Sequence, residues 1–216
     1  MSRESPNAAL VGQPGSRALL QTPCLVLELP ALQHNIDQMA RFARAQRVAL
    51  RPHAKTHKSV QIARRQCQAG AVGLCTATLG EAEALADGGI EGLLVTSPAI
   101  GAAKIARLLA LAARQPDTMI VVDAMDNLRE LAQAADSGAR PLTIVVALDI
   151  GNQRIGARDI DDALALCKAV DASGGLRFGG IHAYAGSLQH TASLALRTEQ
   201  ARTHRAGLSP VGMPPG

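Results

Sequence analysis

Tryptophan is absent from this 216-residue chain, and the aromatic side chains amount to one Tyr and two Phe. A core built from such a chain must be aliphatic, filled by Leu, Val, Ile and Ala. The same scarcity argues against a single-stranded nucleic-acid platform, which stacks bases on aromatic faces. The basic residues are also scattered among acids and form no stripe, so no nucleic-acid partner is expected. The four cysteines, Cys24, Cys67, Cys75 and Cys167, show no Cys-x-x-Cys spacing. Reduced, buried thiols of a cytoplasmic protein fit that pattern better than a disulfide framework. No apolar run approaches the length that crosses a bilayer, so no membrane partner is expected. The opening residues lack the apolar centre of a signal peptide and carry Pro6, Pro14 and Gly15; residues 1–21 are expected to form a disordered leader. The glycine fingerprint of a dinucleotide-binding sheet is missing as well.

What is present is alternation. The chain is 47% hydrophobic and 19% charged, the composition of a globular protein able to bury a core, and its formal net charge of +4 permits an anionic ligand. A strand-like stretch at 24–29 leads to Pro30, which opens a helix with apolar spacing at Leu32, Ile36, Met39 and Phe42. From residue 48 onward short apolar runs alternate with amphipathic segments. The runs lie at 48–53, 71–77, 92–97, 119–124, 143–150 and 176–184. The helices lie at 59–69, 80–86, 102–114, 127–135, 161–172 and 191–205. Such alternation implies βαβ units on a parallel sheet. The expected fold class is α/β, a partial (β/α)₈ TIM-type barrel with about six of its eight units present.

The polar residues support a barrel. They gather where the runs end: Lys55, Thr76 with Thr78, Thr96 with Ser97, Asp123, Asp149 and Tyr184. A barrel enzyme builds its site at that rim. Strand parity places Val121 with Asp123, and Val145 and Ala147 with Asp149, on one face, with Ile120, Val122, Val146 and Leu148 on the other. Strand ends are also polar because strands end in loops, which accounts for each residue singly and for the set less well. Six units are two short of closure, which leaves an open parallel edge. Residues 209–216 read as a Pro/Gly tail. The expectation is therefore a truncated barrel domain over 22–208, a frameshifted product, or a chain that borrows the missing part.

The stretch Leu50-Arg51-Pro52-His53-Ala54-Lys55-Thr56-His57-Lys58-Ser59 joins the first run to the next helix. If it continues a strand, Arg51, His53 and Lys55 share a face. Cations there are costly to bury without an anionic partner. A lysine crowded by other cations and partly desolvated can become a nucleophilic amine. On these ten residues alone a basic turn facing solvent is the favoured reading.

Those residues nevertheless resemble the signature of a group of pyridoxal-phosphate enzymes, the D-threonine aldolases and eukaryotic-type D-serine dehydratases, related to the alanine racemase barrel. Thr22-Pro23, Gly80-Glu81-Ala82-Glu83, the stretch from Asp149 to Gly156 (DIGNQRIG) and the stretch from Gly180 to His190 (GIHAYAGSLQH) also match, in family order, over roughly residues 22–208. The resemblance implies that Lys55 carries the cofactor as a Schiff base, with His53 beside it as a second catalytic residue. It implies that Arg154 reaches toward the cofactor oxygen or the substrate carboxylate, and that Tyr184 lies against the cofactor ring. A packed rim histidine is an equal alternative for His53, and a solvated helix-start lysine is preferred for Lys58. Ala147 stands where alanine racemases usually carry lysine, which points toward the aldolase and dehydratase branch. His182 and Ala185 depart from the Gln and His common in relatives, and His190 matches a family histidine near the substrate.

The implied activity is cleavage of D-3-hydroxy amino acids to glycine and an aldehyde. The alternatives are a D-serine or 3-hydroxyaspartate dehydratase and a non-catalytic cofactor-binding remnant. Full-length relatives also use a divalent metal, manganese or zinc, held by a His-x-Asp or His-x-Cys pair. No such pair occurs in this sequence, so no metal ligands are expected here. The family's phosphate loop would follow Pro210, so this chain is expected to show impaired activity or none. A homodimer is compatible with the resemblance.

Overall fold

The structure is a computed structural model that describes residues 5–136 and 140–206. Five strands form one sheet: β1 (Cys75–Thr76), β2 (Leu94–Val95), β3 (Met119–Val122), β4 (Leu142–Leu148) and β5 (Leu176–Ala183). All neighbours are parallel, and their spatial order is β1-β2-β3-β4-β5. A doubly wound sheet reverses strand order at its centre. An order that follows the chain without reversal is that of a barrel wall. Helices α1 (Leu29–Ala45) and α2 (Val60–Gln68) precede β1. Helices α3 (Leu79–Asp87), α4 (Ala102–Arg114), α5 (Met125–Ala135) and α6 (Ile160–Asp171) join successive strands, and α7 (Leu194–Ala206) follows β5.

The local sequence accounts for the helix starts. Ser59, Thr78 and Asp159 each accept a backbone N–H three residues on, from Ile62 (3.3 Å), Glu81 (3.2 Å) and Asp162 (2.8 Å). These are N-caps for donors that have no partner inside the helix. Pro30 sits in the first turn of α1, where its missing N–H costs nothing.

Strand parity separates two apolar layers. Ile120, Val122, Ile144, Val146 and Leu148 pack against the helices with Leu108, Leu111, Leu128, Leu131 and Leu166. Leu94, Val121, Val145 and Ala147 line the opposite face, with Cys75, Met119 and Ile155 against them. That second face is the interior of the barrel wall. Its C-terminal end carries the polar rim.

The structure corrects several expectations. The run at 48–53 forms no ladder strand; it makes a single bridge, His53 to Cys75, with Val72 N–H donating to Leu50 O and Cys75 N–H to Pro52 O. Proline has no N–H, so regular pairing stops at Pro52. The expected strand at 24–29 forms no ladder: residues 24–28 are unpaired, Leu29 already opens α1, and Leu25, Val26 and Leu27 are exposed. In α1 the buried residues are Ala40 and Ala43, whereas Met39 and Phe42 face outward. The runs 71–77 and 92–97 shrink to two residues each. Gly73 and Gly92 take positive φ angles of 140° and 64° and approach each other too closely for a side chain, so the ladder begins only at Cys75 and Leu94. Within residues 1–21, short 3-10 turns span Ala8–Leu10 and Ser16–Leu19. Asn7 is buried and tied to the Gln21 backbone by two hydrogen bonds of 2.8 and 2.9 Å. The expected tail at 209–216 lies outside the described residues.

Candidate active site at the strand C-termini

Lys55 does not continue strand parity. It occupies a 3-10 turn, Ala54–Thr56, whose first N–H groups need acceptors. His53 supplies one. The Lys55 backbone N–H donates to His53 Nδ1 at 3.2 Å, and His53 Nε2 lies 3.3 Å from Thr96 Oγ1. The Thr96 hydroxyl donates to Thr76 O at 2.8 Å. One end of the imidazole therefore holds the lysine turn, and the other is anchored on the end of β2.

The Lys55 side chain is exposed at the rim and joins no ion pair among the described residues. Lys58 is engaged elsewhere. Its ammonium lies 3.3 Å from Glu81, whose other oxygen accepts the Ala77 N–H at 2.8 Å. Arg51 was expected on the face of His53 and Lys55, but its guanidinium donates to Gly92 O at the N-terminal end of the wall.

Arg154 reaches the rim on the loop after β4. Asp149 shapes that loop by accepting the backbone N–H groups of Gly151, Asn152 and Gln153 at 2.9, 2.8 and 3.1 Å. Asp123 holds its far end through the Gly156 N–H at 3.2 Å. Gly156 has φ +130°, and a Cβ there would lie 2.6 Å from Leu148 C and 2.9 Å from Asp149 Cα. These two rim carboxylates are thus committed to backbone. Arg154 itself is exposed and makes no ion pair among the described residues.

Tyr184 follows β5 directly and is 39% exposed. Its ring lies against Gly186, where a Cβ would fall 2.7 Å from Tyr184 Cε1 and 2.9 Å from Asn152 Oδ1. Asn152 belongs to the Arg154 loop, so a bare glycine lets loop and ring meet. His182, on the inner face of β5, pairs in register with Ala147 of β4. His190 is exposed, at the end of a 3-10 turn, Gly186–His190.

The electrostatics show which groups share the rim. Burial lowers the basicity of His53 most, and the charges of Lys55, Arg154 and His182 lower it further against the opposing pull of Glu81. Burial, then Arg154, lowers that of His182. Lys55, Arg154 and His182 therefore lie within electrostatic reach of His53 at the open end of the wall. Sequence reasoning missed two participants. Thr96 was noted only as a polar strand end, and His182 only as a departure from relatives. Parity was the available signal, because His182 falls on the inner face with Ala147. A cleft of about 400 Å³ opens at the opposite end of the wall, lined by residues such as Arg64, Cys67, Val72 and Asp117. It is remote from Lys55. Among the described residues no group of three or more His, Cys, Asp or Glu side chains is placed to hold a metal ion, and no helix is long and apolar enough to cross a membrane.

Comparison with known proteins matches residues 27–212 to the family described as "Alanine racemase, N-terminal domain". A 3-hydroxy-D-aspartate aldolase of Paracoccus denitrificans (strain Pd 1222) is 40% identical over 172 residues, covering 79% of this chain and 44% of the relative. The crystal structure of D-threonine aldolase from Filomicrobium marinum superposes with a TM-score of 0.85 at 35% identity, covering 91% of this chain and 55% of that one. The D-threo-3-hydroxyaspartate dehydratase from Delftia sp. HT23 superposes with a TM-score of 0.80 at 31% identity, over 87% of this chain and 50% of that one. The chain thus spans about half the length of the curated relatives it matches.

Proposed function

We propose a function from one premise: the chain belongs to the alanine racemase N-terminal domain family. On that premise it is the lysine-bearing wall of a pyridoxal-phosphate lyase of the D-threonine aldolase type. Its substrate is a small D-3-hydroxy amino acid, and its products are glycine and an aldehyde. The observation that carries the reading is the exposed Lys55 amine, without an ion pair among the described residues, set on a braced turn at the rim to which the Arg154 loop and Tyr184 also belong.

The residues present fit the aldehyde and ring of pyridoxal phosphate. Lys55 offers an accessible amine for covalent attachment. Tyr184 offers a partly exposed aromatic face, and Arg154 a guanidinium fork that no carboxylate of the described residues occupies. Bound pyridoxal phosphate supplies an electron sink for the bond broken at the substrate α-carbon. Arg154 would bind the substrate carboxylate or the cofactor oxygen and so orient the α-carbon. His53, which the resemblance implies as a second catalytic residue, has both ring nitrogens engaged, Nδ1 by the Lys55 N–H and Nε2 beside Thr96, so its proposed part is to hold the Lys55 turn in place. Ala147 brings no base to the inner face of β4. That favours cleavage of the Cα–Cβ bond over racemisation. A dehydratase would share the same groups and differ in which bond breaks. The described residues do not fit the divalent metal implied by the resemblance, and nothing proposed for these side chains runs through it. Four free thiols suit a reducing, cytoplasmic compartment.

The test has two steps. The chain is incubated with pyridoxal phosphate, reduced with borohydride and mapped by mass spectrometry; label on Lys55 is expected, and label on Lys58 with Lys55 unmodified overturns the assignment. Products from D-threonine, D-3-hydroxyaspartate and alanine are then compared. Glycine and aldehyde, in small yield, are expected, and dominant alanine racemisation overturns the branch.

A further inference from the structure

We propose that Thr96 is a positioning residue for Lys55, acting through the His53 imidazole as a strut that is whole only when the proton sits on Nε2. The inference rests on the reading of Lys55 as the cofactor lysine for its functional consequence, but not for the strut itself.

The hydrogen-bond directions fix the proton. A backbone N–H can only donate, so His53 Nδ1, 3.2 Å from the Lys55 N–H, must accept and carries no proton. In the neutral ring the proton then lies on Nε2, 3.3 Å from Thr96 Oγ1. The Thr96 hydroxyl spends its own hydrogen on Thr76 O at 2.8 Å and therefore offers a lone pair to Nε2–H. Every donor along this Lys55–His53–Thr96–Thr76 series meets an acceptor, and reversing the ring proton would place two donors against each other at Lys55.

His53 is also the N-cap of the 3-10 turn Ala54–Thr56. A second proton, on Nδ1, would remove the acceptor and release the turn that aims the Lys55 side chain. The groups facing the ring come from four elements: Lys55 on its own turn, Glu81 on α3, Arg154 on the loop after β4 and His182 on β5. Three of the four are cationic or can become so, and with burial they keep the ring neutral, the state in which the strut is whole. Thr96 favours the charged ring slightly, because an imidazolium donates more strongly to its oxygen.

The test reads the 216-residue chain itself, with no cofactor present. Nitrogen-15 NMR of the histidine side chains should show His53 protonated at Nε2 and bare at Nδ1 near neutral pH. The Lys55 amide resonance should titrate together with His53. Thr96→Val should shift both signals and move their common midpoint to lower pH, whereas Thr96→Ser should retain the wild-type values. A threonine that merely stabilised the fold would lower the melting temperature and leave that midpoint alone. A His53 proton found on Nδ1 in the unmodified chain overturns the proposal without recourse to any variant. So does a Thr96→Val chain, folded by circular dichroism, whose His53 and Lys55 signals and midpoint match wild type. Borohydride trapping of pyridoxal phosphate supplies the functional arm. Labelling of Lys55 should slow about 2- to 10-fold in Thr96→Val, the worth of one ordinary hydrogen bond, and recover in Thr96→Ser. Equal rates in all three chains overturn the positioning role. Failure to label Lys55 even in the unmodified chain counts against the proposed function alone, because the NMR arm decides the strut without it.

Discussion

The three rim and near-rim histidines whose basicity is lowered give the fold a pH dependence with a definite sign. Burial is the leading cause for His53, His57 and His182, which all fall below the ordinary histidine value of 6.5. A histidine depressed in the folded chain takes up its proton more readily when unfolded. Stability therefore rises with pH through the window between the folded values and 6.5, and is lost as pH falls through it. Glu81 has the opposite origin, since the Ala77 N–H and Lys58 hold its carboxyl low against burial. Its contribution is lost only in more acidic solution, as pH falls below its ordinary value of 4.5. Melting followed from about pH 7.5 to about pH 5.5 should thus show a falling midpoint. Of the three, His57 sits away from the lysine strut: its Nδ1 accepts the Ser59 N–H at 3.0 Å, while its ring also interacts with the Gln66 side chain. His57→Gln should flatten the slope. A slope unchanged in that variant would assign the dependence to other groups.

Among the elements, the caps carry the most direct prediction. Asp159 accepts the Asp162 N–H at 2.8 Å and opens α6, the helix that joins β4 to β5. Asp159→Ala should cost about 1 kcal/mol in urea denaturation, and Asp159→Asn a small fraction of that, because asparagine caps nearly as well. Equal losses would show that the charge, not the cap, is what α6 requires. Helices of this kind were legible in the sequence because their signals are local. The boundaries of α4 were read as the structure shows them, and those of α2, α3, α5 and α6 fell within a turn of the expected ends. Strands were read less well because a ladder needs a partner as well as a pattern. The 24–29 stretch has the pattern and no partner, and the 48–53 run has a partner but loses donors at Pro52. The α1 stripe misled for the same reason: spacing identified one apolar side, while packing selected the small Ala40 and Ala43. Parity was legible for the inner face of β3, β4 and β5, where Val121, Ala147 and His182 fall together, and failed at Lys55, which a 3-10 turn takes off the strand pattern. What no pattern could reveal was that His53 spans from Thr96 to the Lys55 turn, since that contact joins residues 43 apart in the chain.

Across the whole molecule, exposed large apolar side chains occur along residues 11–48 and, within the sheet, on β5, where the wall has no neighbour. Among the described residues β5 pairs only with β4, so one side of its backbone is unpaired. Its helix-side residues Phe178 and Ile181 are 41% and 38% exposed, whereas the corresponding face of β3 and β4 is fully covered. Parallel strands are normally buried on both faces, and an uncovered edge of this kind is a template for pairing with another chain. The 216-residue polypeptide by itself is therefore expected to self-associate at micromolar concentrations, as seen by light scattering or sedimentation. A lysine on such an edge opposes pairing by desolvation and like-charge repulsion. Ile181→Lys should shift the population toward monomer at little cost in stability, since Ile181 already meets water. Met39→Lys on α1 replaces an equally apolar, 51% exposed residue away from the edge, and serves as the control for general solubility. Association abolished equally by both substitutions would make it a matter of surface hydrophobicity. Association abolished by Ile181→Lys alone would locate it at β5. A monodisperse monomer before any substitution would mean that the twist and shortness of the strand protect the edge without a partner.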